Sequence, residues 1–119
     1  MTQNSNTKQR LWATFDFEVT NFNRSKTQKN GLLGYATIRV AQLNTLFKNI
    51  GVFVKDGRIS VAPPTMSPCP ENNHTWSQIM VFYDDRDFKM FQKKVLDALK
   101  IYSQEEGEEI DLGQGILLV

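Results

Sequence analysis

From Leu11 to Val19 the chain alternates: Leu11, Ala13, Phe15, Phe17 and Val19 share one face, and Thr14, Asp16, Glu18 and Thr20 the other. A period of two predicts a half-buried strand, packed on one side and wet on the other. Residues 21–31 are polar and basic and end in Asn30-Gly31, which predicts a hairpin loop. A second strand over 33–43 turns Ala36, Ile38 and Val40 inward and Tyr35, Thr37 and Arg39 outward. A third over 46–54 keeps Ile50, Val52 and Val54 in phase. Asp56-Gly57 between apolar runs predicts a tight turn into a fourth strand over 59–62.

Pro63-Pro64 ends that strand, because proline donates nothing to a sheet ladder. Residues 65–74, with Pro68 and Pro70, read as a surface loop. Residues 76–83 regain strand character with apolar groups on both faces, as in a central strand or a strand at a subunit contact. Asp84, Asp85 and Asp87 then open a helix, the first Asp accepting orphan amide bonds and the others facing the positive end of the dipole. Phe88, Phe91, Val95, Leu99 and Tyr102 recur at three- and four-residue steps and form one apolar stripe, ending near Gln104. The segment from Glu105 to Asp111 is acidic. The apolar end from Gly115 to Val119 either docks as an edge strand or lies free as a motif.

These elements predict an α+β domain: an antiparallel sheet of four to five strands packed against one C-terminal helix, and dimeric. The domain covers residues 11–104, after a flexible N-terminus at 1–10 and before an acidic tail with an apolar end at 105–119. At 119 residues, 40% of them hydrophobic, it buries a core without disulfide or metal staples. The single Cys69 cannot form an internal bridge, and no apolar leader or membrane-length run is present. The expectation is a cytoplasmic protein with no membrane contact.

Charge sharpens the picture. Residues 1–61 hold nine Lys/Arg against three Asp/Glu, a net +6, and residues 62–119 hold five against ten, a net −5. A basic half followed by an acidic appendage suggests polyanion binding, with plain surface solubility as the other reading. The basic residues Arg24, Lys26, Lys29, Arg39, Lys48, Lys55 and Arg58 are the candidate nucleic-acid contacts, since Lys and Arg neutralise phosphates and release counterions. Trp12 and Tyr35, if outward, would stack on unpaired bases; if not, they cap the core edge or fill a dimer contact. Catalytic chemistry finds little support. His74 stands alone in a Pro/Asn loop, Cys69 lies between prolines with no neighbouring base, and no zinc-ligand or P-loop spacing occurs. No cofactor, no metal and no enzymatic activity are expected. Asp84, Asp85 and Asp87 read as a helix cap more simply than as a cation site.

A family resemblance covers roughly residues 11–102. It is carried by Gly34-Tyr35-Ala36-Thr37-Ile38, then Leu46-Phe47-Lys48-Asn49-Ile50-Gly51-Val52, then Lys55-Asp56-Gly57 and Ile59-Ser60-Val61-Ala62-Pro63. A helix with Lys94-Val95-Leu96-Asp97-Ala98-Leu99 and Tyr102 closes it. This order resembles the bacterial stage V sporulation protein G (septation regulator) family. The resemblance implies a small dimeric α+β regulator that binds DNA and RNA. Two departures stand out: residues 65–74 form an insertion, and the helix leads into the acidic segment 105–111, whereas the family's contacts lie around the helix end. Two functions are therefore expected in order. The first is a non-catalytic nucleic-acid-binding regulator. The second is a protein-interaction or inhibitor module of a mobile element, binding a partner through its acidic tail and exposed sheet.

Overall fold

The computed structural model describes residues 10–26, 31–66, 68–107 and 116–117. Four antiparallel strands form a meander: β1 (Phe17–Arg24), β2 (Leu32–Val40), β3 (Thr45–Lys55) and β4 (Arg58–Val61). A second, two-stranded sheet pairs β5 (Thr65–Met66) with β6 (Ser77–Gln78), and a helix α1 (Asp85–Glu106) follows. A short β7 (Ile116–Leu117) joins β4 in parallel, so the apolar end docks as an edge strand. The fold is α+β, as the alternating pattern predicts.

One face of the meander meets the helix. Register puts Val19 opposite Ile38, Phe22 opposite Ala36, Ala36 opposite Ile50, and Val52 opposite Val61. These residues are buried and pack with Phe91, Val95, Leu96, Ala98 and Leu99 of α1. Each fully buried aliphatic or aromatic side chain contributes about 1.5–3 kcal/mol of transfer free energy. Gln92 is the buried polar residue of this core, and its Oε1 accepts from the Val61 N–H at 3.1 Å, tying helix to β4. Lys94 Nζ donates to the Phe15 carbonyl at 2.7 Å on the other side. The expected stripe faces inward, with Phe88 and Tyr102 half-buried at its ends.

The first strand differs from expectation. Leu11–Thr14 is a 3-10 turn, and the strand begins only at Phe17. Leu11, expected inside, is 67% exposed, while Trp12 turns in against Phe15, Phe17, Phe47, Phe82 and Phe91. The larger ring takes the pocket, and alternation is lost where the chain leaves the ladder. Arg10 anchors the turn, donating from Nη2 to Asp84 at 2.9 Å and from Nη1 to Asp87 at 3.3 Å. It is the described part of the expected flexible terminus, and it is pinned. Residues 21–24, expected as loop, continue β1, because an irregularity between Val19 and Asn21 resets the phase and buries Phe22.

β2 ends at Val40 and passes through a 3-10 turn, Ala41–Leu43, rather than running on to residue 43. Asp56 and Gly57 both have positive φ, 54° and 74°, as the tight turn between β3 and β4 requires. The expected strand over 76–83 is strand only at Ser77–Gln78. Residues 79–83 run irregularly. Met80 and Phe82 pack onto the core from this segment, and Ile79, Val81 and Tyr83 face outward.

Replacing Phe91, fully buried where the helix crosses the sheet, with Ala should destabilise the fold by about 3–5 kcal/mol in chemical denaturation. A loss under about 1 kcal/mol would mean the aromatic cluster repacks without it.

Candidate nucleic-acid interface

The meander has a second face, turned away from the helix. Register assigns it Glu18 opposite Arg39, Asn21 opposite Thr37, Asn23 opposite Tyr35, Tyr35 opposite Gly51, Phe53 opposite Ser60, and Lys55 opposite Arg58. Polar and basic side chains dominate, with an aromatic group at the middle. Gly51 lacks a Cβ there, and one built on it would stand 2.8 Å from the Phe53 ring, so the ring lies back over the glycine. Tyr35 sits across from this flat spot. The ring of Trp76 stacks parallel to Tyr35, 6.1 Å between centroids and 16° between planes.

Trp76 reaches the face from the β5–β6 arm. Asn49, in a left-handed conformation inside β3, donates from Nδ2 to the Thr65 carbonyl at 3.3 Å, and the Thr65 hydroxyl donates to the Asn49 carbonyl at 3.5 Å. The Ile79 N–H donates to the Pro64 carbonyl at 3.0 Å, and Asn72 Nδ2 to the Ser77 hydroxyl at 3.1 Å. The arm is thus fastened to β3 at one end and braced within itself.

The meander also sorts the basic residues. The β1–β2 and β3–β4 connections open at the same end of the sheet, which brings the exposed Arg24 and Lys26 to the end that carries Lys55 and Arg58. Lys29 lies outside the described residues. Arg39 is on the open face but is paired with Glu18 at 3.1 Å, and Lys48 is exposed beside Asn49 in the β3 irregularity. The seven expected contacts therefore divide. Lys55 and Arg58 lie on the open face at the hairpin end, Arg24 and Lys26 border it, and Arg39 flanks the aromatic group from the far side.

The described start of the acidic segment sits elsewhere. Glu105 borders a groove of about 340 Å³ at the β1 edge with Asp16, Glu18, Arg39, Ile101 and Tyr102. The same groove is lined by one of the expected cations, Arg39, and by two further carboxylates. Asp111 lies outside the described residues. A second hollow of about 270 Å³, lined by Pro63, Val81, Phe82, Tyr83 and Phe88, lies beside the helix start.

Other chemistry is sparse. His74 is exposed in a left-handed conformation after the 3-10 turn Pro70–Asn72. The Cys69 sulfur lies 3.5 Å from Met66 Sδ, and its hydrogen bond to Glu71 lowers that carboxyl below its usual range. Among the described residues no three His, Cys, Asp or Glu side chains group as a metal site would. No helix among them is long and apolar enough to cross a membrane. Asp84 caps the helix, with Asp85 and Asp87 in its first turn: Asp84 Oδ1 accepts from the Arg86 N–H at 2.9 Å, and Arg10 and Arg86 pair with its carboxylate.

Comparison of the chain with protein-family models, curated proteins and solved structures gives no match. Function is therefore argued from residues and geometry. Sequence reasoning named Tyr35 but not Trp76, Gly51 or Phe53 as parts of this face. The available signal was a lone glycine inside a strand pattern, which marks close approach, and a tryptophan at the end of a proline-rich insertion.

The hydrogen bonds from Arg86, side chain first and backbone second, hold the Asp84 carboxyl down at about 2, with the charge of Arg10 assisting. A carboxyl depressed on folding stabilises above its ordinary value near 3.8 and loses that contribution as pH falls towards 2. The gap in melting temperature between the natural chain and Asp84→Ala should be full at pH 7 and close between about pH 4 and pH 2. A gap independent of pH would show that the carboxylate charge contributes nothing.

Proposed function

We propose that this protein is a non-catalytic nucleic-acid-binding module of regulatory role, acting in the cytoplasm, with the open face of the meander as its binding surface. The observation that carries this reading is the concentration of basic side chains around one polar sheet face that, among the described residues, no helix covers. Lys55 and Arg58 sit on it, and Arg24 and Lys26 extend it at the hairpin end. Lys and Arg in such an arrangement neutralise phosphates and displace counterions, giving affinity that falls with salt. The resemblance to the stage V sporulation protein G family supports the same function. The binding surface proposed here, however, is the sheet and not the helix end, where Glu105 lies among carboxylates.

A second reading, a protein-interaction module, is favoured by a different observation. Val81 is 71% exposed and Tyr83 fully so, beside exposed Ile79. Apolar groups grouped on a surface mark contacts with protein, and a second copy of the chain is the partner we propose for them. A sedimenting species of twice the chain mass, reverting to monomer in a Val81→Glu variant, is the expected result. A monomer at tens of micromolar, on the order of the concentrations at which specific homodimers form, would remove the dimer.

Mobility-shift titrations at several salt concentrations test the nucleic-acid reading. Replacing Lys55 and Arg58 with Gln should weaken binding and flatten the logarithmic salt slope by about 1.4–1.8, if each cation meets one phosphate. Unchanged affinity and slope in that variant would leave the open face without a role, and the protein-interaction reading would stand in its place.

A further inference from the structure

We infer that the Tyr35–Trp76 pair is a base-stacking platform, and that the ligand of the open face is single-stranded nucleic acid. This rests on the nucleic-acid reading and narrows its substrate class.

Tryptophan ordinarily buries most of its large ring, and indole left in water forfeits that free energy. Trp12 of this chain follows the rule, enclosed by five phenylalanine rings. Trp76 does not. It remains 57% exposed, yet it is held parallel to Tyr35 within the range of an offset stack. The fastened arm fixes it there, through the reciprocal bonds of Asn49 with Thr65 and the bond between Ile79 and Pro64. A large flat ring is thus pre-positioned with a face open to solvent, so a stacking partner meets little ordering loss on binding.

Its surroundings select the partner. Tyr35 and Arg39 are four residues apart on β2, and Gly51, across from Tyr35, and Lys55 are four apart on β3. Each separation is about 13 Å at the strand rise. Basic groups therefore lie on both sides of the ring pair along the same face, Lys55 with Arg58 on one side and, on the other, Arg39 in its pair with Glu18. Asn23, the register neighbour of Tyr35, places an exposed amide beside the rings, a group that pairs with base edges. A π surface between positive charges fits a chain whose planar groups alternate with phosphates. It does not fit an intact duplex, whose base faces are already stacked on one another. Aromatic rings on the open face of an antiparallel sheet are a general means of holding splayed single-stranded bases.

The test compares labelled oligothymidylate with a duplex of the same length, at one low salt concentration. The natural chain should prefer the single strand. Trp76→Ala and Tyr35→Ala should each weaken single-strand binding about tenfold to a hundredfold, with duplex binding unchanged. Trp76→Phe, which keeps a ring, should retain most of the affinity. Thermal unfolding of each variant establishes that the fold survives. In a Trp12→Phe background the remaining indole reports on Trp76, and its fluorescence should be quenched on titration with the single strand. If the alanine variants bind the single strand as the natural chain does, while Lys55→Gln/Arg58→Gln loses affinity, the stacking platform is refuted and the polyanion surface stands. If the natural chain binds neither form, both readings fall together.

Discussion

Everything in this molecule depends on α1 crossing one face of the sheet. Phe91 is the pivot of that contact. It packs with Trp12, Phe17 and Phe82 as it settles on the buried strand residues, and it draws the N-terminal turn, the first strand and the pre-helix segment into one aromatic cluster. Gln92, one residue on, satisfies the Val61 N–H where β4 begins to leave the meander, and Arg10 locks the N-terminal turn to the helix cap. With the helix committed to one side, the opposite face of the same four strands has no helix over it among the described residues. That asymmetry creates the surface on which the functional argument rests.

The open face combines two properties that pull in different directions energetically. An exposed indole and a half-buried Phe53 are unfavourable in water, and basic groups repel one another at the hairpin end. Folding alone does not explain why these features share a face. A polyanionic ligand with planar groups relieves both, since phosphates meet the cations and bases cover the rings. The acidic segment begins at the far edge, where Glu105 lines one groove with Asp16 and Glu18. Charge along the chain thus becomes charge across the molecule, basic at the hairpin end and acidic at the β1 edge.

Much of the fold was legible in the residues, because the signals were local. Period two in β2 and β3, the Asp56-Gly57 turn and the Asp84 cap each depend on neighbours in sequence and appear where the pattern places them. The misread segments answer to distant contacts. Leu11 and Trp12 exchanged places because the indole found a pocket made by Phe82 and Phe91, seventy and more residues away. Residues 79–83 alternate as a strand would, yet they pack Met80 and Phe82 onto the core without joining a ladder. The site was half legible. Its cations were named from charge alone, but the ring pair needed the arm that carries Trp76 onto Tyr35, a long-range contact at which the strand glycine and the tryptophan ending the proline-rich insertion only hint.

The central claim is that ligand engages the open face of the meander. A nuclear magnetic resonance titration with oligothymidylate, following backbone amides and the two indole N–H signals, tests it most directly. The account predicts that the amides of Asn23, Tyr35, Phe53, Lys55 and Arg58 and the Trp76 indole shift with saturation. The Trp12 indole and the amides of Val95 and Leu99 should stay in place. Shifts confined to the helix end and the β1-edge groove, with the Trp76 indole unmoved, would contradict it.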